Sequence, residues 1–241
     1  MSRPGTPFFR TKIELDMQIV DLSVELAHGM VRYPSPYLPS VTLEDAATHE
    51  QDARHAQILS CGTHVSTHLD APYHAIPEGK KIDQIPLGQL CGNALKLQIA
   101  DGRNAHNPLD TAEFEAFPEK ETVEKLILET GWARETWGTG DYFTEGPFLT
   151  RAAAEELASW PKLHLIGMDF PNIDSKAETV MGQPNPNHVI ILGNDIVLLE
   201  NLLRLEDCPE SFFLSSPPPK LVNGDGCPCR AVAMFPSPFP E

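Results

Sequence analysis

The run His64-Val65-Ser66-Thr67-His68-Leu69-Asp70-Ala71-Pro72-Tyr73-His74 holds three of the chain's nine histidines and an aspartate. Few backbone conformations can use such a run. On a helix His64 and His68 would share a face, but Thr63, Val65 and Thr67 are β-branched and Pro72 follows closely, so a helix is disfavoured. On a strand, residues 64, 66, 68 and 70 point to one side, and only the small Ser66 stands between the histidines, leaving room for an ion. An ideal strand separates residues 64 and 68 by about 13 Å at roughly 3.3 Å per residue. That is too far for one ion with bonds of about 2 Å. The chain must therefore bend, with Ser66 the first place to look, or the ligands must be divided between two ions.

Imidazole and carboxylate donors without a thiolate suit zinc best, with manganese or iron also open. Cys61 stands outside the run and reads as core. The five cysteines, at 61, 91, 208, 227 and 229, form neither an even framework nor paired Cys-x-x-Cys knuckles, so they read as reduced thiols. Cys227-Pro228-Cys229 is too tight for a zinc knuckle. A length of 241 residues, 41% of them hydrophobic and 22% charged, suits one substantial domain able to bury a pocket. The net charge of −16, from 34 acidic and 18 basic residues, repels phosphate, so neither nucleic acid nor an anionic membrane is expected as a partner. No run approaches the roughly 18 apolar residues of a bilayer span, and residues 1–17 lack the apolar core of a secretory signal. A soluble, cytoplasmic protein is expected.

Residues 1–17 read as a tail or docking arm and residues 18–241 as a single domain. Strands are expected near Gln18–Ser23, Val41–Leu43, Gln57–Leu59, Ala94–Ile99, Lys125–Glu129, His164–Asp169, Val189–Leu192 and Ile196–Glu200. Short helices are expected at Thr111–Phe117, capped by Asp110 or Thr111, and at Thr150–Trp160. Tyr33-Pro34-Ser35-Pro36-Tyr37 must be loop, which frees both tyrosines to face a ligand. Strands outnumber helices, giving an α/β domain with mixed, strand-rich sheets.

Three local ligands rarely complete a site. The second cluster is sought at His188 and Glu200, which a turn at Gly193-Asn194-Asp195 would bring abreast at one end of a hairpin. Spacing alone leaves open that Glu200 caps a helix over Asn201–Leu205 and that His188 is an ordinary loop residue.

The motif resembles the signature H-x-G-T-H-x-D-x-P-x-H of the cyclase/kynurenine formamidase family of metal-dependent hydrolases, with Ser66 in place of the glycine. The likeness extends to Asp21-Leu22-Ser23, Thr130-Gly131-Trp132, Gly167-Met168-Asp169, Glu200-Asn201-Leu202 and Gly226-Cys227-Pro228-Cys229-Arg230-Ala231-Val232, covering roughly residues 19–235. It departs at Tyr33–Tyr37, where bacterial formamidases carry Trp-Pro-Gly-Asp, and at Asp169-Phe170-Pro171-Asn172.

The resemblance implies the swivelling β/β/α fold and a homodimer or homotetramer. It implies a divalent ion, Zn or Mn, held by His64, His68 and Asp70, and where a second ion is present His188 and Glu200 join Asp70. His74 is the implied proton donor or acceptor, and Asp70 stands as ligand and base together. The expected reaction is hydrolysis of a small arylformamide such as N-formylkynurenine by metal-activated water, with Tyr33, Tyr37, Ser66 and Phe170 as substrate contacts. The alternatives are a cyclase acting on an aromatic polyketide, a lactam or lactone opener of isatin or dienelactone type, and an inactive metal- or ligand-binding protein.

Overall fold

The computed structural model describes residues 17–179 and 182–237, so the expected tail lies outside the described residues except for Met17. Among the described residues eleven strands form in this order: β1 (Gln18–Asp21), β2 (Thr42–Ala47), β3 (Ala56–Ser60), β4 (His68–Asp70), β5 (Cys91–Gln98), β6 (Lys125–Glu129), β7 (Leu165–Met168), β8 (Val197–Glu200), β9 (Ser211–Ser215), β10 (Gly226–Pro228) and β11 (Val232–Phe235). β2 and β3 make a separate antiparallel ribbon, and the other nine join one sheet in the order β1-β11-β9-β5-β6-β7-β8-β4-β10. Its centre, β5 through β8, is parallel, while both flanks are antiparallel.

The parallel centre follows from where the helices lie. Arg151–Ala158 connects β6 to β7 and Pro186–Gly193 connects β7 to β8. Both cover one face of the sheet. Thr150 opens the first, its hydroxyl accepting from the Ala153 amide at 3.2 Å, as its cap position predicts. The sheet alternates accordingly. Leu126, Leu128, Ile166, Met168 and Leu198 pack against Ala153, Ala154, Leu157, Ile191 and Leu192, whereas Ile127, Leu165, Val197 and Leu199 enter a second core on the other face. A strand buried on both faces reads as a continuous apolar run, as β6 does.

The second core draws Val20, Phe212, Leu214 and Ala233 from one flank of the sheet together with Leu69 and Cys227 from the other. The sheet must therefore curl until its flanks share one interior. Leu22 fastens the closure, its amide donating to the Ala231 carbonyl and its own carbonyl accepting from Leu203, each at 2.9 Å. The expected α/β domain with mixed, strand-rich sheets is found.

Two local expectations need correction. Val189–Leu192 is helix, not strand: Pro186 occupies the first turn, where its missing donor costs nothing, and packing of Ile191 and Leu192 against the sheet overrides the β preference of the Val-Ile-Ile run. His188 and Glu200 are thus joined by a helix-to-strand connection and not by a hairpin. Residues 111–117 make only a short turn over Thr111–Glu113, with Asp110 as its cap. All five cysteines are free. No helix among the described residues is long and apolar enough to cross a membrane.

Candidate metal centre

The histidine run bends where a bend is needed. Ser66 has φ of 60°, a left-handed conformation that costs a non-glycine residue free energy, and the regular strand is confined to His68–Asp70. Neighbouring hydrogen bonds hold the bend. The Ser66 hydroxyl donates to the Val24 carbonyl at 2.7 Å, the Thr67 hydroxyl accepts from the Val24 amide at 2.8 Å and donates to the Asn201 carbonyl at 2.7 Å. Folding the run back brings His64 Nδ1 to 2.6 Å from Asp70 Oδ1.

From there the pleat sorts the side chains. In β4, Leu69 enters the core while His68 and Asp70 face the other way. β4 pairs with β8 so that His68 stands opposite Glu200, and His68 Nε2 lies 3.5 Å from Glu200 Oε2 and 3.3 Å from Asp70 Oδ1. His188 approaches from its helix, with Nε2 at 3.5 Å from Asp70 Oδ2 and 3.8 Å from Glu200 Oε1. Asp70 is the hub: Oδ1 faces His64 and His68, and Oδ2 faces His188.

Two acidic residues that the sequence reading did not single out complete the arrangement. Asp225 Oδ2 accepts from His64 Nε2 at 2.8 Å and lies 3.5 Å from His74 Nδ1. Asp174 Oδ2 lies 2.5 Å from His188 Nδ1. Each histidine around Asp70 thereby has an outer nitrogen against an oxygen, His68 using the Ser66 carbonyl at 3.0 Å, and an inner nitrogen toward Asp70. Asp225 had one sequence signal, its position between Gly224 and Gly226. A Cβ on Gly226 would come within 2.7 Å of His64 Cε1 and 2.6 Å of the Leu69 carbonyl oxygen, so β10 can lie against the histidine only with glycine there. For Asp174 there was no local signal, because its partner is 14 residues away.

The electrostatics are those of buried acids short of positive charge. Burial and the Asp70 charge push the Glu200 carboxyl up to about 7. Burial works against the charged forms of His64 and His188 as well, but Asp70 with Asp225, and Asp174 with Asp70, push the two imidazoles up to about 10. Asp70 stays well below the usual carboxylate range despite burial, because His64 and His74 face it. His74 differs: burial lowers it, and the nearby His64 and His188 add to the effect against Asp70 and Asp225. It is also the most open of these histidines, with 29% of its side chain exposed.

These residues fit a cation. Glu200 Oε1 is buried without a hydrogen-bond partner, an expensive condition for a carboxylate unless a positive group completes it. Among the described residues, donor atoms of His64, His68 and Asp70 lie within 4.8 Å of one another, as do those of Asp70, His74 and His188, and those of His64, His74 and Asp225. The set is all imidazole and carboxylate, the donors of a borderline divalent ion. The expected ligands His64, His68, Asp70, His188 and Glu200 are all brought together.

The centre opens into a cavity of about 840 Å³ whose lining includes Tyr33, Tyr37, Ser66, Trp137 and Phe143. Phe170 does not line it. The chain continues the alternation of β7, so Phe170 shares the face of Met168 and is fully buried against the helices, and Pro171 and Asn172 reach the cavity instead. The Ser66 hydroxyl is committed to Val24, which leaves the residue a wall of the cavity.

Known proteins match this frame over nearly its whole length. A kynurenine formamidase of Salinibacter ruber is 26% identical over 218 residues, covering 90% of this chain and 97% of that protein. One from Bacillus cereus is 27% identical over 215 residues, covering 88% and 95%. Isatin hydrolase A from Labrenzia aggregata superposes with a TM-score of 0.75 at 22% identity, over 90% of this chain and 93% of that one. A predicted metal-dependent hydrolase from Bacillus stearothermophilus gives a TM-score of 0.70 at 22% identity, over 91% and 99%. The Cyclase family model matches residues 20–175, more than half of the chain and the whole of the histidine run, and the chain belongs to that family.

Proposed function

We propose that the protein is a metal-dependent hydrolase of a small amide, cutting a carbon–nitrogen bond other than a peptide bond, with an N-formyl arylamine of the N-formylkynurenine kind as the substrate class. The observation that carries this reading is the convergence of His64, His68, His188 and Glu200 on Asp70, beside the open ring of His74 and under an aromatic-walled cavity. The curated relatives named kynurenine formamidase and the fold shared with isatin hydrolase support it.

His64, His68 and Asp70 would hold one divalent ion, zinc or manganese, and Asp70, His188 and Glu200 a second where two are bound. Bound there, such an ion supplies Lewis acidity to a carbonyl oxygen and lowers the pKa of water toward neutrality. The rest falls to the chain. Tyr33, Tyr37, Trp137 and Phe143 give an aryl group apolar surface and edge-to-face partners, and Tyr33 and Phe143 already stand edge to face at 6.2 Å.

His74, with its lowered pKa, is neutral at pH 7 and can take a proton as water attacks the carbonyl. It then returns that proton to the departing nitrogen, without which an anilide leaves badly. Asp225, near His74 Nδ1, accepts from that nitrogen and leaves Nε2 free for the transfer.

The test is metal analysis of freshly purified protein together with turnover on N-formylkynurenine, isatin, a dienelactone and an aromatic polyketide. Release of formate from the first supports the proposal. Opening of isatin or the lactone alone moves the substrate to a ring, and ring closure of the polyketide would make the protein a cyclase. Stoichiometric metal with no turnover on any of the four would overturn the hydrolase reading in favour of a binding protein.

A further inference from the structure

Asp174 occupies an unusual place for an acid. Its side chain has 0% exposure, and its charge is satisfied almost wholly by one short stretch of helix. Oδ1 accepts from the Asn187 amide at 2.7 Å. Oδ2 accepts from the His188 amide at 3.2 Å and faces His188 Nδ1 at 2.5 Å. The helix Pro186–Gly193 has no side-chain cap from its own preceding residue, Asn185, so Asp174 serves its second and third amides from another loop, where a negative charge also meets the positive end of the helix. That accounts for Oδ1 and for part of Oδ2. It does not account for the ring contact, the shortest of the three.

The ring contact decides which way His188 faces. An imidazole held by Nδ1–H against a carboxylate presents Nε2 on the opposite side, and Nε2 here looks toward Asp70 Oδ2 and Glu200 Oε1. No other acceptor among the described residues is bonded to His188 Nδ1. We infer that Asp174 is a positioning residue of the centre, one that fixes the His188 ring through its Nδ1–H and, once Nε2 has lost its proton, aims the Nε2 lone pair at the space between Asp70 and Glu200. The inference rests on the proposed metal site for its benefit, but not for the lock itself, which lies entirely within the chain.

Asp174→Asn keeps the Oδ1 bond to Asn187 and removes both Oδ2 bonds, the one to the His188 amide and the ring contact. The amide oxygen can go on accepting from Asn187, while the new NH2 group faces His188 Nδ1 as a donor. It thus favours the opposite tautomer. In the metal-loaded wild type, nitrogen-15 NMR of the imidazoles should identify a slowly exchanging Nδ1 proton on His188, and Asp174→Asn should lose it. Zinc affinity, measured by competition with a chromophoric chelator, should weaken about 10- to 100-fold in Asp174→Asn.

A double-mutant cycle distinguishes positioning from mere support. If Asp174 acts through His188, Asp174→Asn adds nothing to the loss of zinc affinity already caused by His188→Ala. Additive losses would overturn the inference, as would an Nδ1 proton and a zinc affinity unchanged in Asp174→Asn. If the wild type binds neither zinc nor manganese, the metal site itself falls. The lock is then judged on the slow exchange of the His188 Nδ1 proton in metal-free wild type, and its survival in Asp174→Asn would overturn the lock as well.

Discussion

Ser66 carries two opposed contributions at one residue. Its left-handed backbone costs about 1 kcal/mol relative to glycine, while its buried hydroxyl bond to Val24 returns about the same. Ser66→Gly should therefore change stability by less than about 1 kcal/mol in urea unfolding. Ser66→Val removes the hydrogen bond and strands a β-branched side chain at positive φ, so a loss above about 2 kcal/mol is expected. His74 stands apart because its proposed role is chemical. His74→Asn should keep bound metal while turnover falls about 10²- to 10⁴-fold, whereas His68→Ala should lose the metal. Since the pKa of His74 is lowered from 6.5 and its neutral form is the one that accepts a proton, the acid limb of kcat should have its midpoint below 6.5. A limb unmoved in His74→Asn would assign it to another group.

Among the elements, the ends of β6 and β7 are tied together by Asp169. Asp169 Oδ1 accepts from the Thr130 hydroxyl at 2.6 Å and the Thr130 amide at 3.0 Å, and Oδ2 accepts from the Gly131 amide at 2.7 Å. Asp169→Asn puts an NH2 group against one of those amides, and its cost should be about 2 to 3 kcal/mol in chemical unfolding. The same region shows what could be read from sequence. β6 and β8 were legible because they are apolar runs of strand length, and the Thr150 helix because its cap and alanines agree. Val189–Leu192 misled because its helix is set by Pro186, by a cap donated from Asp174 and by the sheet beneath, none of which leaves a mark in four residues. β9, β10 and β11 were not read at all. They are only three to five residues long, and their pairing is decided by the curl of the sheet. Asp225 and Asp174 were missed for the same reason: both act on histidines far away in sequence, whereas His64, His68, Asp70 and His74 announce themselves by spacing.

For the whole molecule, the ion-free state holds protons where a cation would sit. His64 and His188 are each pushed up to about 10, so both are charged at pH 7, and ion binding must expel about one proton from His64 for one ion and about one more from His188 where two are bound. Calorimetry of zinc binding in buffers of different ionisation enthalpy should report that release, and the affinity should weaken as pH falls. Release of none would mean these imidazoles are not the ligands. In the ion-free protein these raised values stabilise the fold fully below 6.5, and that stabilisation is lost as pH rises through about 10. The β2–β3 ribbon stands apart from the main sheet with Ile58 58% and Leu59 49% exposed, and a lone two-stranded ribbon is marginal in water. The expectation of a homodimer or homotetramer can be tested there: Ile58→Lys should lower the sedimentation coefficient of an oligomer and leave that of a monomer unchanged.

The pairing of β4 with β10 has a consequence for how the protein is made. A ribosome delivers His64, His68 and Asp70 early, but Asp225 and the strand that covers His64 come more than 150 residues later. Throughout that interval the histidine run has no finished surroundings, and its polar groups remain in water. The centre is thus among the last parts that can close, and a chain truncated before Gly226 is expected to leave the ribosome with a helix-covered sheet but without a sealed centre.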